Sequence, residues 1–253
     1  MDARVRSYIN IGALIIVLIV NFISGNVGIN GMTAGEVSDN FPVLFTPAGY
    51  VFLIWGLIYL LLIGFVIYQA LPEQENNPLV SSIGVLFAIS SLFNVIWIFA
   101  WHYLNIGLSM IVMLLFLGTL ILIYLKIYDQ PVNQNLDRIL IKVPFNIYLG
   151  WVCVATIANL NVLLYDANLL ASDTIGATLW TMVVIIIGAA IALGFAWKRG
   201  DYIIALVFVW AFIGIGVRHG SEFALVTLAS WAGAAAIIFL LGWIAATGKL
   251  KEG

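Results

Sequence analysis

Charged side chains are scarce in this sequence. Of its 253 residues only 9% are Asp, Glu, Lys or Arg and 64% are apolar, whereas a soluble domain carries about 25% charged and about 45–50% apolar residues. With a mean hydropathy of +1.12, this excludes a water-soluble fold. The net charge is -2, and no basic run lies outside the chain ends, so a nucleic acid has nothing to hold. Cysteine occurs once, as Cys153, which rules out an intrachain disulfide and a cysteine-based zinc site. Also missing are a Ser/His/Asp set, paired carboxylates, H-E-x-x-H and a phosphate-cradling glycine loop. Hydrolytic and metal-dependent chemistry has no visible machinery.

What is present is long apolar runs. They fall at about Tyr8–Ser24, Ala48–Leu71, Val80–Tyr103, Ile106–Tyr128, Ile141–Leu164, Thr174–Trp197, Tyr202–Val217 and Phe223–Ala246. A bilayer core of about 30 Å takes about 20 helical residues to cross. The expected fold is therefore an all-α polytopic membrane bundle of eight transmembrane helices. The first run also suits a signal peptide, since Arg4 and Arg6 precede it, but it is long and no small-x-small site follows. With the N-terminus inside, Arg4, Arg6, Lys126, Arg138, Lys142, Lys198, Arg199, Lys249 and Lys251 fall on the cytoplasmic side and only Arg218 falls outside. The positive-inside rule then gives N-in, C-in, a multi-pass protein of the cytoplasmic membrane.

The middle of every span is free of Asp, Glu, Lys, Arg and His. Ionisable residues at such depth mark proton relays, ion paths or covalent ligand sites, so a retinal Schiff base, a voltage sensor and a carboxylate-based pump are unsupported. His102 and His219 fall at outer span ends, where they can sit as interfacial residues or ligate a haem iron. The first loop, Gly25–Pro47, is long, lacks Lys and Arg, and carries four glycines. It reads as a mobile lid over an outer pocket or as an ordinary solvated connection. Within it, Glu36 and Asp39 read as a solvated pair rather than a cation site.

The interior holds aromatics and amides instead. Trp101, Trp197 and Trp243 lie near span ends, where an aromatic belt accounts for them, and Trp55, Trp97, Trp151, Trp210 and Trp231 lie deeper. Ser90, Asn94, Trp97 and Trp101 recur at steps of three and four on one helix face, as do Tyr148, Trp151, Ala155 and Asn159. Phe52, Trp55 and Tyr59 line the second span, and Asn10 and Asn21 share a face of the first. Trp55, Asn94, Trp97, Ala155 and Asn159 each lie roughly 7–14 Å from the outer end of their span. Buried amides must be paired, so Asn94 and Asn159 should face the bundle and each other, a water or a ligand. The plainer alternative is that these residues glue helices together.

The same residues carry a family likeness. Tyr148-Leu149-Gly150-Trp151-Val152-Cys153-Val154-Ala155-Thr156-Ile157-Ala158-Asn159 resembles the fifth-helix signature of the TspO/MBR family of tryptophan-rich sensory or translocator proteins, approximately Y-L-A-W-V-x-F-A-T-x-L-N. The stretch Phe45-Thr46-Pro47-Ala48-Gly49-Tyr50-Val51-Phe52, with Trp55 and Tyr59, resembles the family's second helix. Asn94-Val95-Ile96-Trp97 and Gly107-Leu108 resemble motifs of the third and fourth. The likeness spans about residues 8–164. The sequence departs from the family pattern in having Ala48 for a proline, Tyr50 for a tryptophan, and apolar residues around Val112 for an acid.

The resemblance implies that Trp55 and Trp151 flank the ligand, with Asn94 as the polar contact, Ala155 as the small residue beside it and Gly25–Pro47 as the lid; with Tyr59, Trp97 and Asn159 from the shared helix faces, the expected ligand-binding set is Trp55, Tyr59, Asn94, Trp97, Trp151, Ala155 and Asn159. The resemblance also implies a lipophilic aromatic ligand of tetrapyrrole (porphyrin), sterol or isoprenoid type, a sensing or regulatory role, and a homodimer. It requires no obligatory cofactor, though a bound porphyrin or haem fits the pattern. Transport of the same ligand class and light-dependent porphyrin breakdown are the alternative roles. Domain organisation follows as a five-helix domain over 1–168 and a three-helix extension over 169–253. In the extension, Gly188/Ala192 and Ala229/Gly233 have the spacing of tight helix packing.

Overall fold

An apolar chain in hydrocarbon can satisfy its backbone only internally, and without strand patterning the solution is helices. The computed structural model describes residues 2–128, 130, 132, 134–170 and 174–247, and among these the regular elements are helical, apart from one isolated bridge pairing Ile29 with Met32. In chain order they are α1 (Ala3–Phe22), α2 (Ala34–Asp39), α3 (Ile54–Gln69), α4 (Pro78–Ile83), α5 (Leu86–His102), α6 (Ile106–Tyr128), a single turn α7 (Asn135–Asp137), α8 (Val143–Asp166), α9 (Thr174–Arg199), α10 (Tyr202–His219) and α11 (Ala224–Ala246). Among the described residues seven helices are long and apolar enough to cross a membrane. Lys249 and Lys251, counted above in the charge asymmetry, lie outside the described residues.

The third expected span is where sequence and structure part. The run Val80–Tyr103 is not one helix. Gly84 adopts φ 55° and ends α4, and α5 restarts two residues later, with 17 residues. At 1.5 Å per residue α5 covers about 25 Å, short of the hydrocarbon thickness. Asn77 starts α4 from outside, its Oδ1 accepting from the amides of Leu79 (2.9 Å) and Val80 (3.4 Å), with Pro78 in the first turn. A second irregularity precedes α8. Pro144 has no amide proton to return to the preceding turn, and the chain enters α8 through a π-helical turn at Arg138–Lys142.

The chain packs as two compact units, Met1–Asn40 with Trp55–Val152, and Phe41–Ile54 with Cys153–Gly253. The division between the two units falls inside α8, between Val152 and Cys153. In the first unit α1 lies on α5, and α5 pairs with α6 across a tight turn containing Leu104 at φ 55°. The buried face of α1 is Arg6, Ser7, Asn10, Leu14 and Val17, at helical spacing, while Ile15, Ile16, Ile19 and Phe22 point outward. Phe65, Phe87 and Phe145 meet edge to face with centroids 5.0–6.1 Å apart.

In the second unit α9, α10 and α11 pack on one another, and the small residues act as the sequence suggested. A Cβ on Gly188 would stand 3.0 Å from the ring of Phe212, and one on Gly233 would stand 3.2 Å from it. The buried Phe212 therefore fills the room that both glycines leave. The segment 41–54 is held by α10. Trp210 Nε1 donates to the carbonyl of Val51 (3.0 Å), His219 Nε2 to that of Leu44 (2.7 Å), and the amide of Ala48 to the carbonyl of Gly214 (3.0 Å).

Candidate functional site

The cage grows from three helices of the first unit. Trp55 and Tyr59 stand one turn apart on α3, Asn94, Trp97 and Trp101 on successive turns of α5, and Tyr148 and Trp151 on α8. Their rings converge on Trp55. Tyr59 stacks on it at 5.6 Å and 16°, Trp97 lies against it at 6.3 Å and 30°, and Tyr148 and Trp151 meet it edge-on, both at 6.1 Å. Trp101 extends the stack from Trp97 at 6.1 Å, and Phe116 of α6 backs Tyr148 at 5.4 Å. Offset and edge-to-face pairs of this kind are worth about 0.5–1.5 kcal/mol each beyond their buried area. Tyr148 and Trp151 are sealed in the interior, whereas Trp55, Tyr59 and Trp97 are half-buried.

The polar member is Asn94, with no exposed surface. Its Oδ1 accepts from Asn21 Nδ2 of α1 at 2.8 Å, and the same Asn21 nitrogen donates to the carbonyl of Val17, also at 2.8 Å. A carbonyl only accepts, so the Val17 contact fixes the Asn21 amide and, through it, the orientation of Asn94. Asn94 Nδ2 is left toward the cage. It neighbours the hydroxyls of both Tyr59 and Tyr148, yet no hydrogen bond closes on Asn94 Nδ2 or Tyr59 Oη. Trp97 Nε1 is likewise buried and without a partner. Three hydrogen-bonding groups thus stand unpaired in an apolar cage. None of the cage residues carries a charge.

Of the residues expected from sequence, Trp55, Tyr59, Asn94, Trp97 and Trp151 come together. Ala155 and Asn159 follow Trp151 at four-residue steps on the same face of α8, within the second unit, Ala155 half-buried and Asn159 buried. Two cage members were not in the expected set. The sequence shows Tyr148 as part of a helix face, and Trp101 both on the face of Asn94 and Trp97 and in an interfacial belt. Both carried the usable signal, a spacing of three or four from a cage tryptophan. The partner of Asn94 is Asn21, which sequence placed only on a common face with Asn10.

The other candidates are occupied. The ring of His102 is fully buried, with Ser24 Oγ at 3.2 Å from one nitrogen and the carbonyl of Ile98 at 2.8 Å from the other, so neither is presented to a haem iron. His219 is spent on Leu44. The loop Gly25–Pro47 contains more structure than its glycines suggested. The first span runs on through a π-helical turn to Val27, Ile29 pairs with Met32, and α2 follows. Glu36 serves as a capping-box residue, its carboxylate accepting from the amide (2.6 Å) and hydroxyl (2.8 Å) of Thr33. These bonds, the backbone one first, hold its pKa below the ordinary carboxylate value. Among the described residues no group of His, Cys, Asp and Glu is arranged to hold a metal ion.

Apolar helices of spanning length around an uncharged aromatic cage define a multi-pass membrane protein whose interior is built of rings and amides. Residues 7–243 match the family described as TSPO-like protein, and the chain belongs to that family. The match continues through α9, α10 and most of α11, so the last three helices lie within the family's pattern rather than beyond it. No curated protein and no solved structure matches the chain.

Proposed function

We propose that this TSPO-like protein binds a lipophilic aromatic molecule of tetrapyrrole, sterol or isoprenoid type in the cage around Trp55, and that it serves a sensing or regulatory role. The cytoplasmic membrane is its location, with both chain ends inside, on the strength of the basic-residue asymmetry. The observation that carries the reading is the convergence of Tyr59, Trp97, Tyr148 and Trp151 on one ring position, beside two buried donors, Asn94 Nδ2 and Trp97 Nε1, on which no hydrogen bond closes. Ligand sites combine an apolar, aromatic lining with a few polar groups that fix orientation. A cage built only to join helices would have no use for donors without acceptors, since each costs about 1–3 kcal/mol when buried.

The test is titration of protoporphyrin IX against the purified protein, read as quenching of tryptophan emission. Trp151→Ala removes one wall and leaves eight of the nine tryptophans to report. Affinity should fall about tenfold, equivalent to about 1.4 kcal/mol, within the range of a lost aromatic pair. Unchanged affinity would remove the cage from the proposal.

A further inference from the structure

A second polar group lies at the other end of α3, at Gln69, about 21 Å from Trp55 at helical rise. Arg6 and Asn10, one turn apart on the buried face of α1, meet Ser81 and Gly84 at the end of α4. Arg6 Nη1 donates to Ser81 Oγ over a long 3.4 Å, and Asn10 Nδ2 to the carbonyl of Gly84 at 3.1 Å. Gln69 closes the group, its carbonyl accepting from Ser7 Oγ at 3.4 Å and its Oε1 from Asn10 Nδ2 at 3.0 Å.

These contacts decide what remains. The Gly84 carbonyl only accepts, so it fixes the Asn10 amide, and Asn10 in turn fixes Gln69 with Nε2 as its free end. Arg6 Nε, Arg6 Nη2 and Gln69 Nε2 are buried and have no hydrogen-bond partner. The N–H bonds of Nε and Nη2 run parallel and form the edge of the guanidinium that grips a carboxylate or phosphate through two oxygens. That whole edge is free. Asn10 Oδ1 is a buried acceptor without a partner, but it is one neutral oxygen beside three donor nitrogens, and it brings no charge to set against the guanidinium.

A guanidinium does not deprotonate, so once buried it calls for a negative counter-charge. Arg6 has 7% of its surface exposed and Gln69 2%. Among the described residues no carboxylate bonds to Arg6. Asp2 Oδ1 takes the amide of Arg4 at 2.7 Å, and the buried Asp137 takes Tyr68 Oη at 3.0 Å, Asn77 Nδ2 at 2.7 Å and the amide of Gln134 at 3.2 Å. The missing partner is an anion with two oxygens on one centre. Arg6 is in the first turn of its span and Gln69 is the last residue of its own. Lipid phosphates lie at that level, at the edge of the hydrocarbon.

We infer that Arg6 and Gln69 form an oxyanion site for a phosphate group, two of whose oxygens accept from Arg6 Nε and Nη2 and a third from Gln69 Nε2. The third oxygen favours phosphate over carboxylate. The group arrives on a lipid headgroup, from the rim where Arg6 keeps its exposed surface, or as the free ion. The site is separate from the aromatic cage and stands or falls without it.

The experiment is calorimetric titration of the full chain in dodecyl maltoside with dioctanoyl phosphatidic acid, with dioctanoylglycerol, which has the same chains and no phosphate, and with inorganic phosphate. The native protein should bind the phosphatidic acid about tenfold more tightly than the diacylglycerol. Arg6→Lys keeps the charge and loses the paired edge, and should bind the phosphatidic acid about tenfold more weakly. Gln69→Glu keeps the oxygen that Asn10 holds and puts a carboxylate oxygen in place of Nε2. It should abolish phosphate binding and raise the melting temperature, since the protein then supplies its own counter-charge. Inorganic phosphate binding that both variants weaken, without any preference between the two lipids, upholds the site and makes the free ion its ligand. Equal affinity for the two lipids with no binding of inorganic phosphate overturns the site. Native affinity for the phosphatidic acid in Arg6→Lys overturns it too. Should that variant not fold, Gln69→Glu decides, and unchanged affinity there has the same consequence.

Discussion

Gly214 of α10 offers a sharp test of how segment 41–54 is held. A Cβ at this position would clash with Cγ2 of Val51 and stand 3.2 Å from Cβ of Pro47, and the Gly214 carbonyl accepts from the amide of Ala48 at 3.0 Å. Val51 is fully buried, and its carbonyl is tied to Trp210, so the valine cannot swing away at low cost. Gly214→Ala gains about 1 kcal/mol of helix propensity but incurs an overpacking cost of about 1–3 kcal/mol, and the severity of the clash argues for the upper end. The control is Gly118→Ala in α6, where nothing lies within 4 Å of the added carbon, so only the propensity gain applies. For a chain of this size about 2–4 °C of melting temperature corresponds to 1 kcal/mol, and the two variants should melt roughly 6–12 °C apart. The buried Cys153, the one cysteine in the sequence, provides the readout, because a thiol-reactive dye reaches it only on unfolding. A Gly214→Ala protein that melts at or above the native temperature would refute the proposed seating of Val51 on α10.

The Asn21–Asn94 pair should behave as a unit. Asn21→Leu or Asn94→Leu alone strands a buried amide at a cost of about 1–3 kcal/mol, whereas the double variant should cost clearly less than the sum; strict additivity in the same thiol-dye melt would show that the bond contributes nothing. Orientation is checked by fusing a fluorescent protein or a periplasmic phosphatase after residue 247. Fluorescence with an inactive phosphatase is expected from the charge asymmetry, and an active phosphatase would invert the proposed topology.

The part of the cage legible in the sequence is the part governed by helix periodicity. Asn94, Trp97 and Trp101 share a face because 3.6 residues make a turn, and so do Tyr148 and Trp151. Which of those faces meet is a long-range question that spacing does not answer: depth leaves Asn159, a water or a ligand open as the partner of Asn94, and its partner in the structure is Asn21. The capping box is within reach of sequence reasoning, since Thr33 and Glu36 stand at the diagnostic interval, whereas the four glycines of that loop fit a mobile lid and a solvated connection equally well. Gly84 gave no usable warning, because glycines are common inside membrane helices.

That glycine also explains an asparagine. The break between α4 and α5 frees the carbonyl of Gly84 from the helical ladder, and in an apolar surrounding such a group must find a donor. Asn10 Nδ2 supplies it at 3.1 Å while also donating to Gln69 Oε1 at 3.0 Å. Eleven residues further along α1, about 16 Å at helical rise, Asn21 grips Asn94. The helix α1 is thus pinned to α5 by one bond at the break that starts it and another in its middle. Two fixed points on a straight helix leave it no freedom to slide or rotate. The register that brings Asn94 and Trp97 to the cage is therefore set from α1, at a distance from the rings themselves.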